Sequence, residues 1–314
     1  TPVGATKIPV LTTGIFALIA AASLGLMLSI LFGLGTALTY GAADFFGAIG
    51  SRKLRPVIVT GLAAWSGLLL LLTVQWTGLF SASYPPEVWL LGFIGGICSA
   101  VGLSALYIAL ALGPISIVSP LSATLSAIIP SIVAVALGER FTWLGWVAIA
   151  VILIAVVLVG FIPGEHVAIP TAKATIAGVV AGAGIGAVLL CMAAAPTGTG
   201  IAMVTLLRFF NGCILGGFLL LQVLRKKIAP MEFRGLGTRI WTIILLTGFL
   251  DAGANLLFTA AIRSGSLTVT AVLTALYPLG TILLARIVLK ERIALSQQLG
   301  IALALGASVL LVFA

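Results

Sequence analysis

Asp44, Arg208, Asn211, Asp251 and Asn255 stand inside long apolar runs of this chain, as do Tyr40, Tyr107, Tyr277 and Gln75. An ionisable side chain at that depth in a bilayer costs about 2.5–3.5 kcal/mol on the translocon scale. It is tolerated where it faces a partner or a wet cavity, so these residues could pair helices, hold a polar solute or pass a proton. Asp251 and Arg208 sit at heights that differ by about 6 Å at 1.5 Å per residue, within the reach of an arginine side chain. An ion pair between them is therefore feasible, and the spacing leaves open whether it locks two helices or meets a solute or proton. Asn255 follows Asp251 by one turn and Asn211 follows Arg208 by three residues, so each pair shares a helix face. Two such faces on neighbouring helices read as a cavity wall, with isolated interhelical hydrogen bonds as the alternative. Asp44 lies about 10 Å from the end of its run, one turn after Tyr40. It could carry a proton in a low-dielectric cavity, or serve as a cap or a partner for Arg52 or Lys53.

Other chemistry lacks its residues. His166 is the one histidine and falls in a loop, and Cys98, Cys191 and Cys213 lie in apolar runs without a partner at metal spacing. The chain has no Cys-x-x-Cys, phosphate-cradling loop or Ser-His-Asp set. No catalytic residue, metal or cofactor is expected. ATP-driven pumping within the chain is excluded, and an intramembrane enzyme is disfavoured.

The elements that position the polar residues follow from composition. Of 314 residues, 61% are hydrophobic and 7% charged, whereas a soluble domain has about a quarter of its residues charged. Long unbroken apolar runs predict an all-α polytopic membrane protein rather than a barrel of short alternating segments. Runs at 28–50, 56–80, 87–112, 115–137, 141–162, 173–195, 200–224, 239–262, 266–289 and 294–314 each suffice to cross a bilayer. A further run at 8–25 reads as an extra, peripheral N-terminal helix, with a signal-peptide core or upstream sequence as alternatives. The net charge of +9 is the ordinary imbalance of a membrane protein with basic cytoplasmic loops. No basic run carries the interleaved aromatics of a nucleic-acid platform, so nucleic acid is not an expected partner.

The chain repeats itself. Gly113 to Arg140 (GPISIVSPLSATLSAIIPSIVAVALGER) aligns without a gap on Gly265 to Arg292 (GSLTVTAVLTALYPLGTILLARIVLKER). Gly113 falls on Gly265, and the Leu-x-Glu-Arg ending at Arg140 falls on that ending at Arg292. The organisation expected is a segment 1–27, a five-helix repeat over 28–162 and a second over 173–314. An odd number of helices inverts one half relative to the other, the signature of alternating-access transporters whose site lies at the repeat interface near mid-membrane. Pro120, Pro130 and Pro278 interrupt the hydrogen-bond ladder of the fourth and ninth spans and are candidate hinges. Glu139 and Glu291, the acids of the repeat, are expected to order loop ends at helix N-termini. Gly178, Gly182 and Gly186 form a close-packing stripe.

Two five-helix halves, each with a tight Gly joint, a small-residue or Pro-broken fourth helix, a terminal Glu-Arg and a final Gly-containing helix, resemble the EamA branch of the drug/metabolite transporter superfamily. YGAADFFGAIGSRKLRP over 40–56 is similar to that family's first helix and loop. The resemblance covers about 28–314. It implies a ten-helix inverted-repeat carrier of small organic solutes, functional as a monomer, whose first helix lines the central cavity and so brings Tyr40 and Asp44 to it. The candidate substrate-binding set is Tyr40, Asp44, Tyr107, Arg208, Asn211, Asp251, Asn255 and Tyr277.

The bases sort by loop. Arg52, Lys53, Arg55, Lys173, Arg225, Lys226, Lys227, Arg234, Arg239, Arg286, Lys290 and Arg292 fall on one side, and Lys7, Arg140 and Arg263 on the other. The positive-inside rule puts the first side in the cytoplasm and the C-terminus outside, the reverse of the family's better-known members. The expected function is a secondary-active or facilitative transporter moving a small organic metabolite or drug across the cell membrane, with protons as a candidate coupling ion. Arg208 and Asp251 would suit a zwitterion or a partly anionic solute. The alternative is a flippase for a polyprenyl-phosphate type of lipid. A divalent-cation path would be expected to offer more carboxylates than Asp44 and Asp251.

Overall fold

A computed structural model describes residues 8–51, 53–78, 80–112, 115–160, 171–225, 237–289 and 295–310. Its helices are α1 (Ile8–Ser51), α2 (Pro56–Trp76), α3 (Pro86–Leu112), α4 (Ile115–Ala136), α5 (Trp143–Gly160), α6 (Ala172–Ala194), α7 (Ala202–Leu224), α8 (Thr238–Ser264), α9 (Leu267–Thr274), α10 (Tyr277–Leu289) and α11 (Leu295–Leu310). The described residues contain no strand, only an isolated bridge between Ala82 and Gly200. With α9 and α10 counted as one interrupted helix, this is a ten-helix, two-repeat all-α protein.

Local chemistry sets the helix boundaries. Pro56 and Pro86 open α2 and α3, where a missing N–H costs nothing. The Thr171 hydroxyl caps α6 by accepting from the Ala174 N–H at 3.2 Å, and Ser266 caps α9 through the Val269 N–H at 3.1 Å. Among the described residues six helices are long and apolar enough to span a bilayer, including Leu24–Ser51, Ala202–Leu224 and Thr238–Ser264. The ends of the bundle carry exposed aromatics such as Trp76 and Trp143, suited to a membrane interface.

Two expectations are corrected. The run 8–25 is not a separate helix: it continues into 28–50 as the 44-residue α1. Leu26, Met27 and Leu28 are good helix formers and nothing between the runs stops the helix. Nor do the prolines act alike. Helix α4 runs through Pro120 and Pro130 without interruption. The ninth span does break, ending α9 at Thr274 and restarting α10 at Tyr277. Pro278 is the second residue of α10 and has no N–H to give the Thr274 carbonyl, and the Leu279 N–H turns back to Leu276 O at 2.8 Å.

The repeat is visible in the helix boundaries. The first residues of α3 and α8, Pro86 and Thr238, are separated by the same 152 positions as their last residues, Leu112 and Ser264. The same shift carries the start of α4 onto α9 and that of α5 onto α11. The halves nevertheless interdigitate. Helix α1 packs chiefly on α8, α3 on α6 and α7, α4 on α6, and α5 on α11. Among the described residues two large apolar clusters result, with three smaller ones beside them. Ile30, Ala123, Ile152, Leu273 and Ala304 belong to one, drawn from α1, α4, α5, α9, α10 and α11. Leu71, Val88, Leu189, Leu207 and Phe258 belong to the other, drawn from α2, α3, α6, α7 and α8.

Small residues let the helices approach. A Cβ at Gly182 would lie 2.6 Å from Leu125 Cβ, and one at Gly186 3.3 Å from Ile129 Cβ. The Gly178 carbonyl accepts a hydrogen bond from the Ser122 hydroxyl at 3.0 Å. The glycine stripe of α6 thus packs against α4, as its spacing suggests. At one end of the bundle Glu139, just past α4, accepts from the Thr268 N–H at 3.2 Å and from the Thr268 hydroxyl, at the N-terminus of α9. That is the role expected of the repeat-related acids, and Glu291 lies outside the described residues. At the same end Arg263 donates to the Ala195 and Pro196 carbonyls.

Candidate functional site

A cavity lies between the two apolar clusters. It is walled by Tyr40 and Asp44 from α1, Ser99, Leu103 and Leu106 from α3, Ser126 from α4, Ile185 and Val188 from α6, Arg208 from α7, Asp251 and Asn255 from α8, Thr274 from α9 and Tyr277 from α10. About 50 Å³ of it is open to the centre of a water-sized sphere, room for a few waters. Both halves contribute, and they do so in register: Ser99 and Leu103 on α3 occupy the positions that Asp251 and Asn255 occupy on α8, again 152 residues apart.

Close helix crossings set the wall. Gly41 on α1 faces α10 so closely that a Cβ there would lie 2.6 Å from Gly280 Cα and would collide with the Tyr277 carbonyl. The Thr281 hydroxyl donates to the Gly41 carbonyl at 3.0 Å. This crossing holds Tyr40 and Tyr277 side by side. On α8, Gly248 abuts α2, where its Cβ would run into the Ala63 carbonyl, and it fixes the turn that carries Asp251.

The polar side chains form a connected set. Arg208, 2% exposed, makes an ion pair with Asp251. The Asn255 amide donates to the Asp251 backbone carbonyl at 2.7 Å, and the Tyr40 hydroxyl donates to Asn255 Oδ1 at 2.9 Å. The chain thus runs from α1 through α8 to α7. Arg208 Nε and Thr274 Oγ1 are buried with no hydrogen-bond partner among the described residues. Buried polar groups are seldom left so. Such atoms offer donors and an acceptor to an occupant of the cavity.

Six of the eight residues singled out in the sequence line this cavity: Tyr40, Asp44, Arg208, Asp251, Asn255 and Tyr277. The structure places the other two behind its wall. The hydroxyl of buried Tyr107 abuts Gly47. Asn211 is fully buried and donates to Ser99 Oγ at 2.6 Å, so it orients a cavity residue without lining the cavity. Ser99, Ser126 and Thr274 carry no signal in the sequence. Serine and threonine are common in membrane helices because they can bond to their own backbone, as Ser126 does to the Ala123 carbonyl at 2.9 Å. Of the partners suggested for Asp44, Lys53 is exposed and unpaired with it, and Arg52 lies outside the described residues. Among the described residues no three His, Cys, Asp or Glu come together as a metal site.

Comparison with known proteins adds the following. A family model described as the EamA-like transporter family matches residues 27–161 and 172–313. No curated protein sequence matches the chain. Among solved structures, one described only as a crystal structure of a protein superposes with a TM-score of 0.70 at 17% identity, over 90% of this chain and 97% of that one. At that identity the likeness speaks to the fold alone.

Proposed function

Because the chain belongs to the EamA-like transporter family, we propose that it carries a small organic solute across the membrane by alternating access, with the central cavity as its binding site. A transporter family and a multi-pass membrane protein are the ground this stands on. One observation carries the rest: a polar cavity, contributed by both repeats, lies at the boundary between two separately packed apolar clusters. Rocking of one cluster against the other would open that cavity to each side in turn, as repeat-built carriers do. The break at Thr274–Tyr277 lies on this boundary, so Pro278 is the hinge best placed to take up the motion, with Pro120 and Pro130 bending α4 at most. Lys53, Arg225 and Arg239 mark the end that faces the cytoplasm. The membrane concerned is the cell membrane, and one chain suffices.

The test is thermal stabilisation of the purified protein by a panel of amino acids, nucleosides, vitamins, amines, polyprenyl phosphates and Mg²⁺. A ligand of the folded state at a hundred times its Kd adds about 2.7 kcal/mol. A soluble organic compound is expected to raise the melting temperature, and Tyr40→Phe, which removes the hydroxyl bonded to Asn255, should weaken the effect. Stabilisation by polyprenyl phosphates alone would contradict the solute carrier and point to a flippase.

A further inference from the structure

Three side chains of acidic or basic type line the cavity: Asp44, Asp251 and Arg208. Arg208 and Asp251 neutralise each other. Asp44, half-buried, receives no hydrogen bond and no salt bridge from any described residue. The cavity therefore holds one carboxylate more than its cations balance, and a lone carboxylate in a poorly hydrated site is costly unless a cation or a proton joins it. The groups that face Asp44 do not resolve this. Tyr40 on its own helix, Tyr107 on α3 and Tyr277 on α10 are neutral phenols, Asp251 on α8 repeats its charge, and Arg208 on α7 is already paired.

Resting on the reading of the cavity as a solute site, we propose that the solute is a small organic monocation, an amine with an apolar body, and that Asp44 exchanges it for a proton. The ammonium takes the place of the proton on the Asp44 carboxyl, and that proton leaves to bulk water. Net charge in the cavity is the same in the two states, so neither leaves a buried charge unmatched. The rest of the wall fits such a molecule. Leu103, Leu106, Ile185 and Val188 offer apolar surface for its body, and the rings of Tyr40 and Tyr277 attract an ammonium through their faces. An anionic solute would find the one free charge of the cavity repulsive and the one guanidinium engaged.

The experiment uses compounds that share a ring and differ in charge: benzylamine, benzyl alcohol, benzoate and phenylalanine. Benzylamine is expected to raise the melting temperature of the wild-type protein, and benzyl alcohol and benzoate to leave it unchanged. Its binding should weaken as pH falls, by about tenfold per unit where the proton competes for the carboxyl. In weakly buffered solution the wild-type protein should release up to one proton per amine bound, a readout that needs no variant. Asp44→Asn should weaken benzylamine binding by roughly thirtyfold or more, the cost of leaving one charge of a desolvated pair without its partner. Asp44→Glu keeps the charge and should retain binding. Benzylamine binding that survives Asp44→Asn, or that releases no proton at any pH, would overturn the proposal. Silence from benzylamine, or stabilisation by benzoate or phenylalanine that Tyr40→Phe weakens, would overturn the monocation and leave the carrier standing. Silence from every organic compound in the broader panel as well would remove both.

Discussion

Asp251→Asn is expected to destabilise the folded protein by about 3–5 kcal/mol, and Arg208→Met by a similar amount, because each leaves the other charge buried and alone. Arg208 is 2% exposed and its one ionic partner among the described residues is Asp251. The double change Arg208→Met/Asp251→Leu removes both charges and fills the site with apolar volume. Such replacements of a buried pair are often neutral or better, so the double variant should recover most of the stability that either single variant loses. Melting temperature in detergent reads this directly. The same variants separate structure from function. The folded double variant should no longer be stabilised by a solute that stabilises the wild-type protein, since the cavity has lost two of its three acidic or basic side chains. Full recovery of stability together with unchanged solute binding would make the pair purely structural.

Gly41→Ala is the second large effect. The added Cβ would meet the Tyr277 carbonyl and the Gly280 Cα, backbone atoms that cannot rotate away. Overpacking commonly costs about 1–3 kcal/mol, and the upper end is expected where no side chain can yield. The helices must separate, and Tyr277 moves with α10 away from Tyr40, so solute binding should fall along with stability. Two controls calibrate the result. A Cβ at Gly47 would also meet a neighbour, but that neighbour is the far end of the Tyr107 side chain, so Gly47→Ala should be milder. Gly217 has nothing within 4 Å of an added Cβ, and Gly217→Ala should be neutral or gain up to about 1 kcal/mol from helix propensity. If all three variants melt together, crossing α1 against α10 is not what holds the cavity.

Much of this architecture was legible because a bilayer imposes strong rules. Apolar run length marks the spans, and the Gly113 and Gly265 joints with their Glu-Arg ends fix the repeat to a shift that the boundaries of α3 and α8 reproduce. The Arg208–Asp251 pair was feasible from the depths of the two residues, and the structure forms it. Rotation about a helix axis was harder to read. A helix that is apolar all round has no amphipathic face to orient it, so nothing in the sequence said that Tyr107 packs behind the cavity wall against Gly47. Ser99, Ser126 and Thr274 were silent for a related reason. The pairing of Arg208 also changes what the charges mean: the sequence offered a guanidinium to an anionic or zwitterionic solute, whereas in the structure the charge left open is the Asp44 carboxylate. The continuation of 8–25 into α1 was hidden because a turn is signalled by breakers, and their scarcity around Met27 is a weak cue.

The central claim is that the cavity between the clusters is the route across the membrane. Ser126 lines it from α4 and its hydroxyl donates to the Ala123 carbonyl of its own helix, so Ser126→Cys is a mild substitution there. In a background with Cys98, Cys191 and Cys213 replaced, this cysteine is to be challenged with a charged, membrane-impermeant methanethiosulfonate in right-side-out and in inside-out vesicles. Reaction from both sides, slowed by a solute that stabilises the protein, is the predicted result. A thiol that reacts from one side only, or from neither, would contradict alternating access at this site.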